Sequence, residues 1–179
     1  MERTPPWYVI TGAPSSGKST VLGELAGRGY RTLKEAARHV IETEVAAGRD
    51  FKELRANAAD FQHEVLRLKL QWETELPIDE VVFLDRGIPD SLAYYRHEGI
   101  VEDKELGDAL ERSRYRRVFI LDLISRDNFT HDGARSETWE GACELDRLLE
   151  EAYRGLGYDV VRLPVVSALA RADAIVARL

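Results

Sequence analysis

The stretch GAPSSGKST, residues 12–20, decides the fold class of this chain. It fits the pattern G-x-x-x-x-G-K-[ST], whose fixed positions are filled by Gly12, Gly17, Lys18 and Ser19. Glycines let the backbone wrap so that successive N–H groups point inward and bind phosphate oxygens, together with the N-terminus of the following helix. The lysine would reach the β/γ oxygens of a nucleoside triphosphate, and the serine hydroxyl would be a ligand of Mg²⁺.

The same pattern predicts that nine consecutive residues contact the nucleotide. They are Gly12, Ala13, Pro14, Ser15, Ser16, Gly17, Lys18, Ser19 and Thr20. We expect ATP to be the nucleotide, because the sequence has no N-K-x-D segment of the kind that reads guanine. GTP stays open as an alternative, and Mg²⁺ is the expected metal ion.

The sequence on either side of this loop predicts an α/β domain. WYVIT (7–11) is a strand pattern before the loop, and a helical pattern follows from Gly17 to about Gly27. Short apolar runs then alternate with amphipathic stretches, which is typical of a parallel sheet covered by helices. Further strands are predicted at 30–35, 80–85, 117–123 and 158–164, and further helices at 35–48, 51–76, 89–99, 103–114, 137–155 and 167–178. We therefore expect one domain, residues 1–179, with a five-stranded parallel sheet in a three-layer P-loop NTPase fold.

Composition and charge narrow the classes of partner. The 25 Lys and Arg against 32 Asp and Glu give a net charge of −7, which disfavours nucleic acid because a phosphate backbone requires a basic surface. No apolar run approaches the roughly 18 residues of a membrane span, and the first residues lack a signal-peptide core. The single cysteine allows no disulfide within the chain. These features predict a cytoplasmic protein without a membrane span, as a monomer or a homodimer.

Two strand patterns end in an aspartate that is able to serve as the carboxylate on the metal side. VVFLD ends at Asp85 and VFILD ends at Asp122. In parallel α/β sheets, ligands bind at the carboxyl ends of the strands, where such a carboxylate would meet Mg²⁺. We favour Asp85 as the metal ligand, because Arg86 follows it directly and a helix start comes next. Asp122 remains the alternative, and it is equally an ordinary strand-end residue.

The segment LDRGIPDSLAYYR (84–96) carries a family resemblance. It resembles the D-R-x-x-x-S-x-x-A-Y signature of thymidylate kinases and, more loosely, the E-R-S motif of deoxynucleoside kinases. The serine, Ser91, stands one position later than in that signature. In those families the acid and the arginine lie beside the transferred phosphate. The resemblance therefore implies that Asp85 and Arg86 are catalytic, and that Arg86 and Tyr94 also bind the acceptor.

The resemblance extends along the whole chain. From the loop at 12–20 through EAARHVIE (35–42) to GYDVVRLP (157–164), the chain is similar to a bacterial family of AAA-labelled predicted ATP-binding proteins. That family is related to the nicotinamide riboside kinase domain of bacterial NAD regulators, which implies a nucleoside/nucleotide kinase-like fold and nucleotide binding. Most of its members have no assigned substrate, so the acceptor stays open. An animal relative is described as binding GTP and an acidic phospholipid, which keeps a binding-only role as an alternative.

Three residues are predicted on the acceptor side. Glu35 ends the second predicted strand, so its carboxylate would point into the crevice and accept the proton of an attacking hydroxyl. Arg38 follows on the same side of the next helix start, and an ion pair of Glu35 with Lys34 or Arg38 is the alternative reading. Deoxynucleoside kinases carry a Phe-Gln pair whose glutamine reads the acceptor base, and the resemblance gives that role to Gln62. Its neighbour Phe61 is expected in the core.

The polar segment SRDNFTHDGARSE (125–137) follows the fourth predicted strand, where nucleotide kinases carry a lid. A closing lid would exclude water and bring Arg126 or Arg135 against charge that develops on the γ-phosphate. A solvated loop is the alternative interpretation. Taken together, the residues predict an ATP- and Mg²⁺-dependent small-molecule kinase with an unidentified acceptor, for example a nucleoside or nucleotide. A regulatory NTPase that binds ATP or GTP without an acceptor is the competing hypothesis.

Overall fold

The fold is built on a five-stranded sheet, seen in a computed structural model that describes residues 4–50, 53, 56–126 and 138–179. The strands are β1 (Trp7–Thr11), β2 (Arg31–Leu33), β3 (Val82–Asp85), β4 (Arg117–Leu121) and β5 (Val160–Leu163). All pairs are parallel, and the order across the sheet is β2-β3-β1-β4-β5. The predicted five-stranded parallel sheet is confirmed, although β2 is shorter than the predicted strand at 30–35.

Helices follow the strands in the predicted order. They are α1 (Lys18–Gly27), α2 (Ala36–Ala46), α3 (Ala58–Thr74), α4 (Ile88–His97), α5 (Lys104–Arg112), α6 (Trp139–Gly155) and α7 (Ala168–Val176). The helix predicted from residue 51 is observed as α3, whose N-terminus is capped because the Asn57 side chain accepts a hydrogen bond from the Asp60 backbone N–H. Phe51 itself lies outside the described residues.

Two apolar layers hold these helices on opposite faces of the sheet. Alternate residues of β1, Tyr8 and Val9, belong to different core clusters because successive strand side chains point to opposite faces. One cluster joins the sheet to α3, α4, α5 and α6, and the other joins it to α1 and α7. This arrangement is a three-layer α/β fold, and the loops that follow the strands meet at the carboxyl edge of the sheet. Among the described residues, no helix combines the length and the apolar character that crossing a membrane requires.

Candidate active site

The loop between β1 and α1 has the backbone that its sequence predicts. Gly12 and Gly17 have φ angles of +146° and +86°, values that side-chain-bearing residues rarely adopt. A Cβ at Gly12 would lie 2.6 Å from the carbonyl oxygen of Leu121 and 2.9 Å from Ser16 Oγ, so any larger residue would push the loop off β4. Both glycines are therefore required by the path of the chain around the phosphate-binding position.

Lys18 begins α1 and extends its amine back across this loop. Its Nζ donates hydrogen bonds to the carbonyl oxygens of Gly12, at 2.9 Å, and Ala13, at 3.2 Å, and to Ser16 Oγ, at 3.4 Å. Burial, and then repulsion by the Arg86 guanidinium, lower the pKa of Lys18 to about 8. The amine is still largely protonated at neutral pH, and it stands where phosphate oxygens would replace the carbonyls as partners. The neighbouring Ser19 is exposed at the first turn of α1.

Asp85 is the last residue of β3 and is in register with Ile10 of β1, directly beside the phosphate-binding loop. The side chain is buried, and its Oδ1 has no hydrogen-bond partner among the residues that the structure describes. Burial, and then the Glu35 charge, raise the pKa of this carboxyl to about 6. A buried carboxylate oxygen without a donor is costly unless a cation binds it.

This arrangement fits Mg²⁺. Carboxylate and hydroxyl oxygens such as those of Asp85 and Ser19 are hard ligands, and Mg²⁺ in nucleotide sites is held by one or two protein groups together with phosphate oxygens and water. No group of three or more His, Cys, Asp or Glu with metal-binding geometry occurs within residues 4–50, 53, 56–126 and 138–179. An ion at Asp85 would accordingly depend on the phosphates of a bound nucleotide.

Asp122, the alternative metal ligand, has a different environment. It follows β4, and its Oδ1 accepts a hydrogen bond of 2.7 Å from Arg162 Nε. Arg162 also contacts Asp146 and Glu150 on α6, each at 2.8 Å. The Asp122 carboxylate therefore belongs to an ion-pair cluster around Arg162, which agrees with its alternative interpretation as an ordinary strand-end residue.

Arg86 occupies an unusual backbone conformation immediately after Asp85. Its φ angle is +69°, which for a non-glycine residue costs about 1–3 kcal/mol and persists only where the surroundings enforce it. Its Nε donates to Glu35 Oε1 at 2.9 Å, and its NH1 donates to Asp90 Oδ1 at 3.0 Å. The guanidinium carbon lies 5.2 Å from the centroid of the Tyr94 ring, within cation–π range. The guanidinium is thus fixed on three sides.

Glu35 stands at the residue before α2, rather than within the second strand as predicted. Its ion-pair partner is Arg86, which the sequence-based alternatives did not include. Burial would raise the pKa of the Glu35 carboxyl, but the charges of Arg86 and Lys18 outweigh burial and lower it to about 2. Arg38 is exposed on the first turn of α2 and adds to this lowering. The site thus contains a permanently ionised carboxylate beside a fixed guanidinium.

Asp90 is a site residue that sequence reasoning missed. Its side chain is fully buried, and it accepts hydrogen bonds from the hydroxyls of Thr11 and Tyr153 as well as from the Gly87 backbone N–H and Arg86 NH1. Burial works to raise the pKa of this carboxyl, but Arg86 and then Lys69 hold it below its usual range. The available signal was an acid in the first turn of a predicted helix, where a carboxylate accepts a hydrogen bond from the backbone N–H at the helix start.

Side chains from α3 and α6 also hold the turn between β3 and α4 by hydrogen bonds. Lys69 on α3 donates to the carbonyl oxygen of Gly87 at 2.9 Å and to Ser91 Oγ at 3.1 Å. Tyr153 on α6 accepts from the Gly87 N–H at 3.1 Å. A Cβ at Gly87 would lie 2.9 Å from the Tyr153 hydroxyl and equally close to the Tyr115 ring. The turn is therefore packed so tightly that only glycine fits after Arg86.

Tyr115, which lies in the segment before β4, also supports the turn between β3 and α4. Its hydroxyl accepts from the Ile88 backbone N–H at 2.9 Å and donates to Glu73 Oε1 on α3 at 2.6 Å. Burial raises the pKa of Glu73 to about 7. None of these contacts is visible in sequence, because the partners are tens of residues apart and lie on separate elements.

The remaining predicted residues are more widely placed. Gln62 is buried on α3, and its Nε2 donates to Glu98 Oε1, just after α4, at 3.1 Å. Phe61 packs in the core cluster between α2 and α3, as expected. Arg126 is exposed and pairs with Glu140 on α6 at 3.1 Å. Arg135, with the rest of the predicted lid from residue 127 onward, lies outside the described residues.

Comparison with known proteins agrees with this fold. Residues 7–171 match a family model described as AAA domain, and no curated protein matches the chain. The NadR protein in complex with NR has a TM-score of 0.67 at 18% identity over 94% of this chain, which spans only 48% of that protein. Thymidylate kinase from Ehrlichia chaffeensis has 0.65 at 12% identity over 98% of both chains. Deoxyadenosine kinase from M. mycoides with bound dATP has 0.64 at 17% identity over 96% of this chain and 97% of that one. At such identities the likeness concerns the fold, which is that of P-loop nucleoside and nucleotide kinases.

Proposed function

We propose that this chain, which belongs to the AAA domain family, is a P-loop phosphotransferase that moves the γ-phosphate of ATP to a small-molecule acceptor. The acceptor class we propose is a nucleoside, a nucleotide or a similar hydroxyl or phosphate compound. One observation carries the proposal: the guanidinium of Arg86 is fixed by Glu35 and Asp90 beside the phosphate-binding loop. Phosphoryl transfer to an acceptor uses charge on both sides of the moving group, and a buried carboxylate–guanidinium pair beside the loop would supply that charge together with a contact for an acceptor hydroxyl.

Each part of the site has a distinct task in this proposal. The loop at 12–20 binds the triphosphate through backbone N–H groups, and Lys18 contacts its β/γ oxygens. Ser19 and Asp85 would hold Mg²⁺, which neutralises phosphate charge when it is bound. Arg86 would stabilise the charge that spreads over the transferred group. Positioning and charge neutralisation account for most of the catalysis of this reaction, so a fixed arginine is more useful than a mobile one.

Glu35 has a narrower role than the sequence suggests. An efficient general base has a pKa near the working pH, and the pKa of Glu35 is held at about 2. The carboxylate is nevertheless a strong hydrogen-bond acceptor, and a loose phosphoryl-transfer transition state needs little proton removal. We propose that Glu35 orients the acceptor hydroxyl and holds Arg86. Arg38, Gln62 and Tyr94 remain proposed contacts of the acceptor.

The proposal is tested by measuring whether a particular class of acceptor accelerates the consumption of ATP. The protein is incubated with Mg-ATP and a panel of nucleosides, nucleotides and small alcohols, and phosphorylated products are measured by mass spectrometry together with ADP. We expect one acceptor class to accelerate ADP release and to gain one phosphate. In Lys18→Ala, triphosphate affinity should fall about 100-fold or more, because a charge-assisted contact to phosphate is lost in a buried site.

Lys104→Ala is the matched control, since Lys104 is exposed on α5 and pairs only with Asp108 among the described residues. Its affinity and turnover should equal those of the wild type. Slow ADP release that no acceptor accelerates, together with much tighter binding of GTP than of ATP, would replace the kinase proposal by a regulatory NTPase.

A further inference from the structure

Arg171 lies on α7, far along the chain from the phosphate-binding loop, yet its guanidinium lies against that loop. The side chain is 4% exposed. Its NH1 donates to the carbonyl oxygen of Ser16 at 2.6 Å, and its Nε donates to that of Pro164 at 2.7 Å. Its NH2 donates to the carbonyl oxygens of Asp122 at 3.2 Å and Leu163 at 3.4 Å. One guanidinium therefore joins the loop to the ends of β4 and β5.

The partners of this buried cation are backbone carbonyls, which is uncommon. Buried arginines normally pair with carboxylates, since removing an unpaired charge from water is expensive. The carboxylate that acts electrostatically on Arg171 is Asp122, whose side chain is hydrogen-bonded to Arg162. Burial lowers the pKa of the Arg171 guanidinium below its usual range. Carbonyl dipoles rather than a contacting carboxylate solvate this charge, so no direct ion pair neutralises it beside the loop.

The contact with Ser16 has a direct consequence for the phosphate cradle. In a trans peptide the C=O and N–H bonds point in opposite directions, and the described chain contains no cis peptide. The bond from Arg171 NH1 fixes the carbonyl of the peptide between Ser16 and Gly17, so it also fixes the N–H of Gly17 on the opposite side. A Cβ at Gly17 would lie 3.4 Å from the same NH1, so the guanidinium contacts the loop backbone itself.

We propose that Arg171 is a positioning residue of the phosphate-binding loop, which directs the Gly17 N–H towards the β-phosphate and adds positive potential beneath it. This inference rests on the part of the proposed function in which the loop binds a triphosphate, and it does not depend on transfer to an acceptor. The guanidinium also holds the carbonyl of Pro164 after β5, so the loop and the segment that follows β5 keep a fixed spacing.

Two substitutions of Arg171 separate the effect of its planar hydrogen-bonding geometry from the effect of its charge. Arg171→Lys keeps a cation but replaces five planar donors by three at one point, so it cannot reach all four carbonyls. Arg171→Met removes the charge and fills a similar volume. We expect the Kd of Mg-ADP to rise about 10-fold in Arg171→Lys and about 100-fold in Arg171→Met, as lost charge-assisted hydrogen bonds and lost potential predict. Arg178→Met is the matched control, because Arg178 is exposed just beyond α7.

A second measurement separates positioning from a merely structural role. It is the change that Mg-ADP causes in the chemical shift of the Gly17 amide in ¹⁵N-labelled protein. Adding Mg-ADP to the wild type and to Arg178→Met should shift this amide proton downfield, as expected for a short hydrogen bond to phosphate. In both Arg171 variants the shift should fall to half or less, while a cooperative melting transition above the assay temperature, recorded without nucleotide, shows that the variants are folded. If Arg171→Met does not fold, Arg171→Lys alone decides the matter.

Equal Kd values and equal Gly17 shifts in Arg171→Lys and the wild type would overturn the inference. A wild type that does not bind Mg-ADP at all would overturn both this inference and the nucleotide part of the proposed function. A wild type that binds Mg-ADP as described but phosphorylates no acceptor would overturn the kinase proposal, and the role of Arg171 would stand.

Discussion

Two turns at the same edge of the sheet are built in opposite ways. The phosphate-binding loop at 12–20 is held mainly by its own residues, since Lys18 finds its acceptors within six positions of the chain, and Arg171 adds a long-range contact to it. The turn at 85–91, between β3 and α4, takes its shape from distant residues. Arg86 reaches Glu35, 51 positions away, and the Gly87 N–H reaches Tyr153, 66 positions away.

This difference matters for the two halves of a transfer reaction. A triphosphate offers the same oxygens to every enzyme that binds it, so a glycine-rich loop with mainly local contacts suits it. An acceptor differs from enzyme to enzyme, and the turn that we propose for its side of the site is held by residues of several helices. Substitutions at 86–91, beyond the proposed metal ligand Asp85, should therefore impair turnover and leave nucleotide affinity intact, whereas substitutions at 12–20 should impair affinity.

The largest expected effect of this kind is at Arg86. Arg86→Lys keeps the charge but loses the planar contacts to Glu35 and Asp90, so the cation no longer stands in one position. We expect kcat to fall about 1000-fold, in the range known for arginines that stabilise a transferred phosphoryl group, with the Kd of Mg-ATP within about 2-fold of the wild type. Single-turnover kinetics and calorimetric titration measure the two quantities.

Arg96→Lys is the control for Arg86, because Arg96 lies on α4 and forms an exposed ion pair with Glu102. It should match the wild type in both quantities. A loss of ATP affinity equal to the loss of kcat in Arg86→Lys would show that the turn at 85–91 and the loop at 12–20 act as one unit, contrary to the comparison drawn above.

A smaller effect is expected at Asp90, which acts on the reaction only through Arg86 and the turn. Asp90→Asn keeps the shape, but its amide nitrogen cannot accept the two hydrogen bonds that one carboxylate oxygen accepts, and the substitution removes the buried negative charge that faces Arg86. We expect kcat to fall about 10- to 100-fold at unchanged Kd for Mg-ATP, since one charge-assisted hydrogen bond is worth about 1.5–3 kcal/mol. Turnover should be measured alone and in combination with Arg86→Lys.

In the double variant the two losses should not add, because both act through the same guanidinium. Strictly additive losses would contradict a positioning role for Asp90. Asp108→Asn on α5, where the carboxylate is bound by an exposed lysine, serves as the control for removing an aspartate charge.

The two turns also explain what the sequence could predict. The loop between β1 and α1 could be predicted because its pattern is a run of consecutive residues, whereas its nucleotide contacts stay a prediction. The five strands were predicted because buried parallel strands are continuous apolar runs, although β2 proved shorter and Glu35 moved to the start of α2. The placement of Asp85 and Arg86 followed from a strand end and a family resemblance.

Hydrogen-bond partners that lie on different helices and strands could not be predicted from sequence patterns. Helical periodicity placed Gln62 on a helix, but it does not show that the amide pairs with Glu98, because that depends on how α3 packs against α4. The same holds for Tyr153 beneath Gly87, and for Arg171 beneath Ser16, which is 155 positions away. These contacts are set by the packing of helices on the sheet, and a single sequence does not show which residues of two packed helices face each other.

The smallest expected effect concerns Glu73, the last residue of the support beneath the turn at 85–91. Its pKa rises from 4.5 to about 7 in the folded protein, mainly because it is buried. Between these pH values the folded state keeps a proton that the unfolded state has lost, so this carboxyl lowers the free energy of unfolding as pH rises. In Glu73→Gln that loss should be absent, which by pH 8 amounts to at most about 3 kcal/mol relative to pH 4.5. Urea unfolding at pH 5 and pH 8 measures it, with Glu75→Gln, an exposed neighbour, as the control. An identical pH dependence in the wild type and Glu73→Gln would mean that Glu73 is ionised throughout, and that Tyr115 holds a charged carboxylate beneath the turn.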